Sequence, residues 1–163
     1  MPINLGSAHV PEPAVAVGED PRHYARLMSA VYDATMAGTR APARPRAVIE
    51  DSWQRMKANG IDPDRLSAPV VEVAGLEMLR RSSGLLAVLD EVSRNLETLI
   101  VEGDNILVLA DARGRVLWRS GAASVLNHAD RLGFIEGAHW GENAVGTNAI
   151  GTSLASNRAV QVF

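Results

Sequence analysis

The stretch GENAVGTNAIGTS, Gly141 to Ser153, sets the tightest constraint on this chain of 163 residues, because glycine recurs every fifth position at Gly141, Gly146 and Gly151. Glycine gives a core no side chain and costs about 1 kcal/mol relative to alanine inside a helix, so three in so short a span need a backbone reason. A phosphate-binding loop requires Gly, four residues, Gly and then Lys, whose amine reaches the terminal phosphates while loop N–H groups cradle the others. Gly146 and Gly151 have that spacing, but Thr152 stands where lysine is required, and GAHW rather than an apolar strand leads in. Both departures argue against nucleotide hydrolysis. Three five-residue units are also too few to stack as a solenoid. What remains is a helix capped by Thr147 or Asn148 and running through Ala149, Ile150 and Leu154. Gly151 inside that helix implies close approach by another backbone, a tryptophan side chain or a ligand.

Upstream, the apolar residues follow a helical period. Residues 1–19 hold three prolines and no apolar period, which predicts a mobile tail. Asp20-Pro21 predicts a capped helix with Tyr24, Leu27, Met28, Val31 and Tyr32 on one face, ending by Gly38. A second helix runs from Pro45 or Arg46 to Asn59, with Val48, Ile49, Ser52, Trp53 and Met56 inward and Gly60 as its stop. With a turn at Asp62-Pro63-Asp64, residues 20–69 read as an N-terminal helical extension. A helix expected over 72–81 is broken at Ser82, Ser83 and Gly84. Beyond it Leu85, Leu89, Val92, Leu96 and Leu99 step by four, three, four and three, a seam two heptads long flanked by charges. This seam fits a core helix lying on a sheet; it also fits a helix pair across a dimer interface.

The period then becomes two. Ile106–Ala110 is a continuous apolar run, read as a buried strand; Asp111–Gly114 is a turn; and Arg115–Arg119 alternates, with Val116 and Trp118 on one face and Leu117 on the other. Residues 122–132 return to helical composition, residues 133–137 allow only a strand fragment, and Ala159–Phe163 alternates as a last strand. The order predicts an α+β domain over 70–163 behind the helical extension. A sheet ending in a fresh strand at Phe163 has an open edge, so the domain is expected to be incomplete, or completed by a second chain.

Composition narrows the function. A net charge of -3 carries no basic surplus for binding nucleic acid or an anionic membrane directly. No apolar run approaches the roughly 20 residues that span a bilayer, and the first residues lack the pattern of a signal peptide, so a cytoplasmic location is expected. The absence of cysteine removes disulfides, thiolate metal sites and thiol nucleophiles. His9, His23, His128 and His139 form no i,i+4 pair, no Gly-x-Ser-x-Gly elbow is present, and the expectation is no metal, no cofactor and no catalytic site. An acid–base pair of Glu142 and His139 is the enzymatic alternative.

The run HWGENAVGTNAIGTSLASNRAVQVF resembles the signature of the GAF domain in bacterial transcriptional activators of the acetoin and glycerol metabolism type, many of them sigma-54-dependent. Trp140, Gly141, Glu142, the seven residues Gly146–Thr152 and Arg158–Val162 carry it. Arg46–Asp64 is similar to the N-terminal helix of that family and Leu107–Gly121 to its first hairpin. The resemblance implies a GAF-like antiparallel sheet with flanking helices, a small-molecule effector and a homodimer, without the ATPase and DNA-binding parts of such activators. The family pattern continues beyond the position of Phe163, so the front of a sensor is expected. Candidate ligand-binding residues are Trp118, Phe134, Trp140, Glu142, Asn148 and Thr152. Each has a structural reading beside it: a loop anchor for Trp140, a helix cap or an arginine pair for Glu142, capping for Asn148 and Thr152, and core for Trp118 and Phe134. Gly146, Thr147, Ile150 and Gly151 are motif positions, and Leu85, Leu89, Val92, Leu96 and Leu99 are the expected dimer interface. The alternative function is a ligand-free interaction module that pairs through the open sheet edge.

Overall fold

The computed structural model describes residues 10–61, 67–96, 100 and 103–162. Helix α1 spans Pro21–Met36 and α2 spans Ala47–Ala58. The Asp20 carboxylate accepts from the Arg22 N–H at the start of α1, where Pro21 has no N–H and needs no acceptor, and Gly60 adopts a φ of 61° just past α2. The buried residues of α2 are Val48, Ile49, Ser52, Trp53 and Met56, the face its spacing predicts. With Val31 of α1 the four apolar ones form a hydrophobic cluster, and Leu27, Met28, Tyr32, Val160 and Val162 pack against it. Residues 10–19 are tied to the rest of the chain: the Ala14 N–H donates to Gln161 Oε1 and Arg46 Nη1 to the Glu12 carbonyl.

Helix α3 covers Val73–Ser82 and α4 covers Leu86–Asn95, separated by Gly84 at a φ of 71°. Helix α4 stops at Leu96, so it carries only the first part of the expected seam; Leu99, like the turn at 62–64, lies outside the described residues. Strands β1, Ile106–Ala110, and β2, Val116–Gly121, form an antiparallel hairpin with an irregularity between Leu109 and Ala110. Its turn is built by Asp111, whose Oδ1 accepts from the N–H groups of Arg113 and Arg115. The expectation of a buried first strand is corrected here. All of β1 is half-buried, whereas Val116 and Leu117 at the start of β2 are fully buried, because α3 and α5 (Ala123–Arg131) pack on β2.

Residues 137–140 run between β2 and the chain at 69–71. The Val116 N–H donates to Ala138 O, Trp140 N–H to Gly114 O and His139 N–H to Pro69 O. Short helices α6, Glu142–Val145, and α7, Ala149–Ser156, follow. The expected last strand is a second correction: residues 159–162 form no strand. Their alternation places Val160 and Val162 against the α1–α2 cluster, and that cluster, rather than a neighbouring strand, is what they meet. Phe163 lies outside the described residues.

Candidate functional site

The glycine-rich stretch folds against α2, and its three glycines are contact points. A Cβ on Gly151 would collide with the Glu142 backbone nitrogen and come within 2.9 Å of Trp140 O, so a second stretch of backbone is what makes glycine necessary there. A Cβ on Gly141 would sit 2.9 Å from Arg113 O. Gly146, at a φ of 80°, ends α6, and a Cβ there would lie 2.6 Å from the Met56 methyl. The Asn148 Oδ1 accepts from the Gly151 N–H at 2.9 Å and so caps α7.

Two polar contacts join this stretch to α2. Arg55 grips Glu142 with a fork, Nε to Oε2 at 2.7 Å and Nη2 to Oε1 at 2.9 Å. The Glu142 side chain is 9% exposed and that of Arg55 36%. Burial alone pushes the Glu142 carboxyl up, but hydrogen bonds from Arg55, Ser52 and Thr152, with the charge of Arg55, outweigh it and hold the carboxyl below its ordinary value. The same hydrogen bond raises Arg55. Beside the fork, Ser52 Oγ lies 2.7 Å from Thr147 Oγ1 and 3.5 Å from Thr152 Oγ1. Ser52 and Thr152 are fully buried, so these hydroxyls satisfy one another where water is excluded. The Thr147 N–H donates to the Met56 sulfur at 3.2 Å.

The six ligand-binding candidates do not converge on one cavity. Trp118 lies beneath Arg80, whose guanidinium carbon is 5.7 Å from the ring centroid and which also pairs with Glu77 and Glu136. Phe134 and Trp140 meet edge-to-face at 4.7 Å, and the buried Trp140 indole N–H has no partner among the described residues. An open cleft of about 680 Å³ is lined by Arg55, Arg113, Arg115, His139, Glu142 and Gly151, among others; of the six candidates only Glu142 reaches it. A second cavity, about 310 Å³, lies between α1, α2 and the glycine-rich stretch, with Tyr24, Tyr32, Trp53, Arg46 and Thr147 in its walls. None of the six lines it; of the motif positions, Thr147 does. Among the described residues no group of three His, Cys, Asp or Glu is placed to hold a metal, and no helix is long and apolar enough to cross a membrane.

The sequence offered a helix cap or an arginine pair for Glu142 without locating the arginine, and did not disclose Ser52 as a polar anchor or the α1–α2 cavity. Arg55 and Glu142 are separated by 87 positions, and nothing in local spacing signals such a pair. The one visible cue was a serine inside an otherwise apolar helix face.

No family model matches the chain. It is 35% identical over 122 residues to the acetoin dehydrogenase operon transcriptional activator AcoR of Bacillus subtilis, and 32% identical over 124 residues to the acetoin catabolism regulatory protein of Cupriavidus necator. The chain is a homologue of these acetoin regulators. The alignments cover 74% and 71% of the chain but only 20% and 18% of the regulators. An uncharacterized 47.3 kDa protein in the thcA 5′ region of Rhodococcus erythropolis is 32% identical over 92% of the chain, which spans 36% of it. In three dimensions the chain superposes on a chain of the Escherichia coli DhaR(N)–DhaL complex with a TM-score of 0.58, over 67% of its own length and 37% of that chain. At 21% identity that likeness concerns the fold, which is α+β and GAF-like.

Proposed function

We propose that this chain is the sensory module of a cytoplasmic bacterial transcriptional regulator, non-enzymatic, which binds a small metabolite and signals through a helix-mediated homodimer. Homology to a fifth or less of two acetoin regulators supports a module of a longer regulatory design. The observation that carries the reading is the fastening of α2 to the glycine-rich stretch by the Arg55–Glu142 fork and by the hydroxyls of buried Ser52 and Thr152 and half-buried Thr147. A ligand that favours one arrangement of these elements biases everything fixed to them, which is how a binding event becomes a population shift. Helix α4 is the dimer surface in this reading: none of its residues is fully buried, and Leu86 and Val88 are exposed.

Thermal unfolding of the chain in a series of acetoin, glycerol and other short alcohols and ketones tests the reading. A ligand at a hundred times its Kd adds about 2.7 kcal/mol of stability, a shift easily seen. A series with no shift overturns metabolite sensing for these compounds. A second reading then stands: a ligand-free interaction module. The exposed apolar residues of α4 favour it, as does the fold's likeness to a chain of a protein–protein complex.

A further inference from the structure

We infer that the cavity between α1 and α2 is a binding site for a small organic monocarboxylate with a compact, apolar or aromatic body. The inference rests on the sensory reading above and says where the effector sits and what chemistry it has. At about 310 Å³ the cavity is at the lower end of small-molecule sites, which excludes nucleotides and peptides. Its walls are apolar and aromatic: Tyr24, Met28 and Tyr32 come from α1, Trp53 and Met56 from α2, and Tyr32 and Trp53 stand edge-to-face at 5.1 Å. Such walls take up a flat or branched hydrocarbon body.

Arg46 is the one charged residue in the wall. Its Nη1 and Nη2 donate to the carbonyls of Glu12 and Gln161, its buried Nε–H has no partner, and no carboxylate pairs with it among the described residues. Arginines placed against apolar surface are ordinarily matched by a carboxylate or phosphate, whose oxygens fit the guanidinium fork. A phosphate monoester brings close to two negative charges to a wall with one cation, whereas a monocarboxylate brings one. A neutral alcohol or ketone of the same size leaves the cation unneutralised and binds more weakly.

The test is a titration of the 163-residue chain with sodium benzoate and, in parallel, with neutral benzamide, following the methionine methyl groups by NMR. Met28 and Met56 line the cavity, and Met78 is exposed on α3, where it serves as an internal control. The expected result is saturable movement of the Met28 and Met56 methyls with a still Met78, and at least tenfold weaker binding of benzamide. Arg46→Lys, which keeps the charge but not the fork, should weaken benzoate several-fold, and Arg46→Met at least tenfold. Because Arg46 also ties residues 12 and 161, Arg46→Met can fail to fold; the two ligands on the unmutated chain then decide between the outcomes on their own. Equal affinity for benzoate and benzamide overturns the inference, as does benzoate binding that leaves Met28 and Met56 unmoved. A thermal shift with acetoin alongside either of those outcomes leaves sensing intact and removes only this site.

Discussion

Helices α2 and α4 both carry regular apolar faces, yet one is buried and the other is not. Helix α2 buries Val48, Ile49, Ser52, Trp53 and Met56 against α1, the glycine-rich stretch and Val160 and Val162. Helix α4 has no fully buried residue and leaves Leu86 51% and Val88 42% exposed. Periodicity states which face of a helix is available for burial, but something else must supply the surface that covers it. For α2 that surface lies far along the chain, in the glycine-rich stretch and at residues 160 and 162, and polar side chains fix its register as much as apolar ones. For α4 the described residues cover Leu85, Leu89, Val92 and Leu96 only to half-burial.

The contrast breaks if α2 tolerates truncation. Trp53 is 6% exposed and packs edge-to-face on Tyr32, so Trp53→Ala should cost about 3–5 kcal/mol in urea unfolding. Gly151→Ala should follow at about 1–3 kcal/mol, since the added methyl meets the Glu142 backbone nitrogen and neither short helix can move without the other. A Gly151→Ala protein as stable as the parent would show that the two helices are not held together as described.

The Arg55–Glu142 fork comes next, and it has a pH signature. Glu142 has a lowered pKa in the folded chain, so its contribution is fully present above the ordinary carboxylate range and is lost as pH falls through the folded value. Arg55 is a third exposed, so the fork is worth less than a fully buried pair; Glu142→Gln should cost roughly 1–2 kcal/mol at neutral pH. The variant should also show a shallower loss of stability on acidification than the parent. Parallel acid limbs in the two proteins would assign the acid sensitivity to other carboxylates.

These residues also mark what the sequence disclosed. The five inward positions of α2, a cap for α7 at Thr147 or Asn148 and the demand for a close neighbour at Gly151 were legible, because each follows from spacing or local backbone chemistry. That the neighbour is backbone, that Arg55 is the arginine and that Ser52 faces Thr147 all depend on contacts between distant parts of the chain. The alternation of residues 159–162 was legible as well, but alternation alone does not make a ladder: Val160 and Val162 face the α1–α2 cluster without a strand beside them. The half-buried β1 is the same lesson in reverse, since an apolar run is covered only where helices pack on it.

The smallest stability effect is expected on α4, and it sharpens the comparison most. Leu89 sits mid-helix on the half-buried seam, so Leu89→Glu removes little intramolecular packing and should change the unfolding midpoint of dilute protein by under about 1 kcal/mol. In the proposed dimer the same carboxylate is carried into an apolar interface twice, and light scattering at high micromolar concentration should report a monomer for the variant and a dimer for the parent. Mass action then adds a second signature: the parent's unfolding midpoint should rise with protein concentration while the variant's stays constant. A parent that scatters as a monomer would remove the dimer. A Leu89→Glu variant as unstable as Trp53→Ala would instead mean that α4 is covered within its own chain, and the difference between the two helices would disappear.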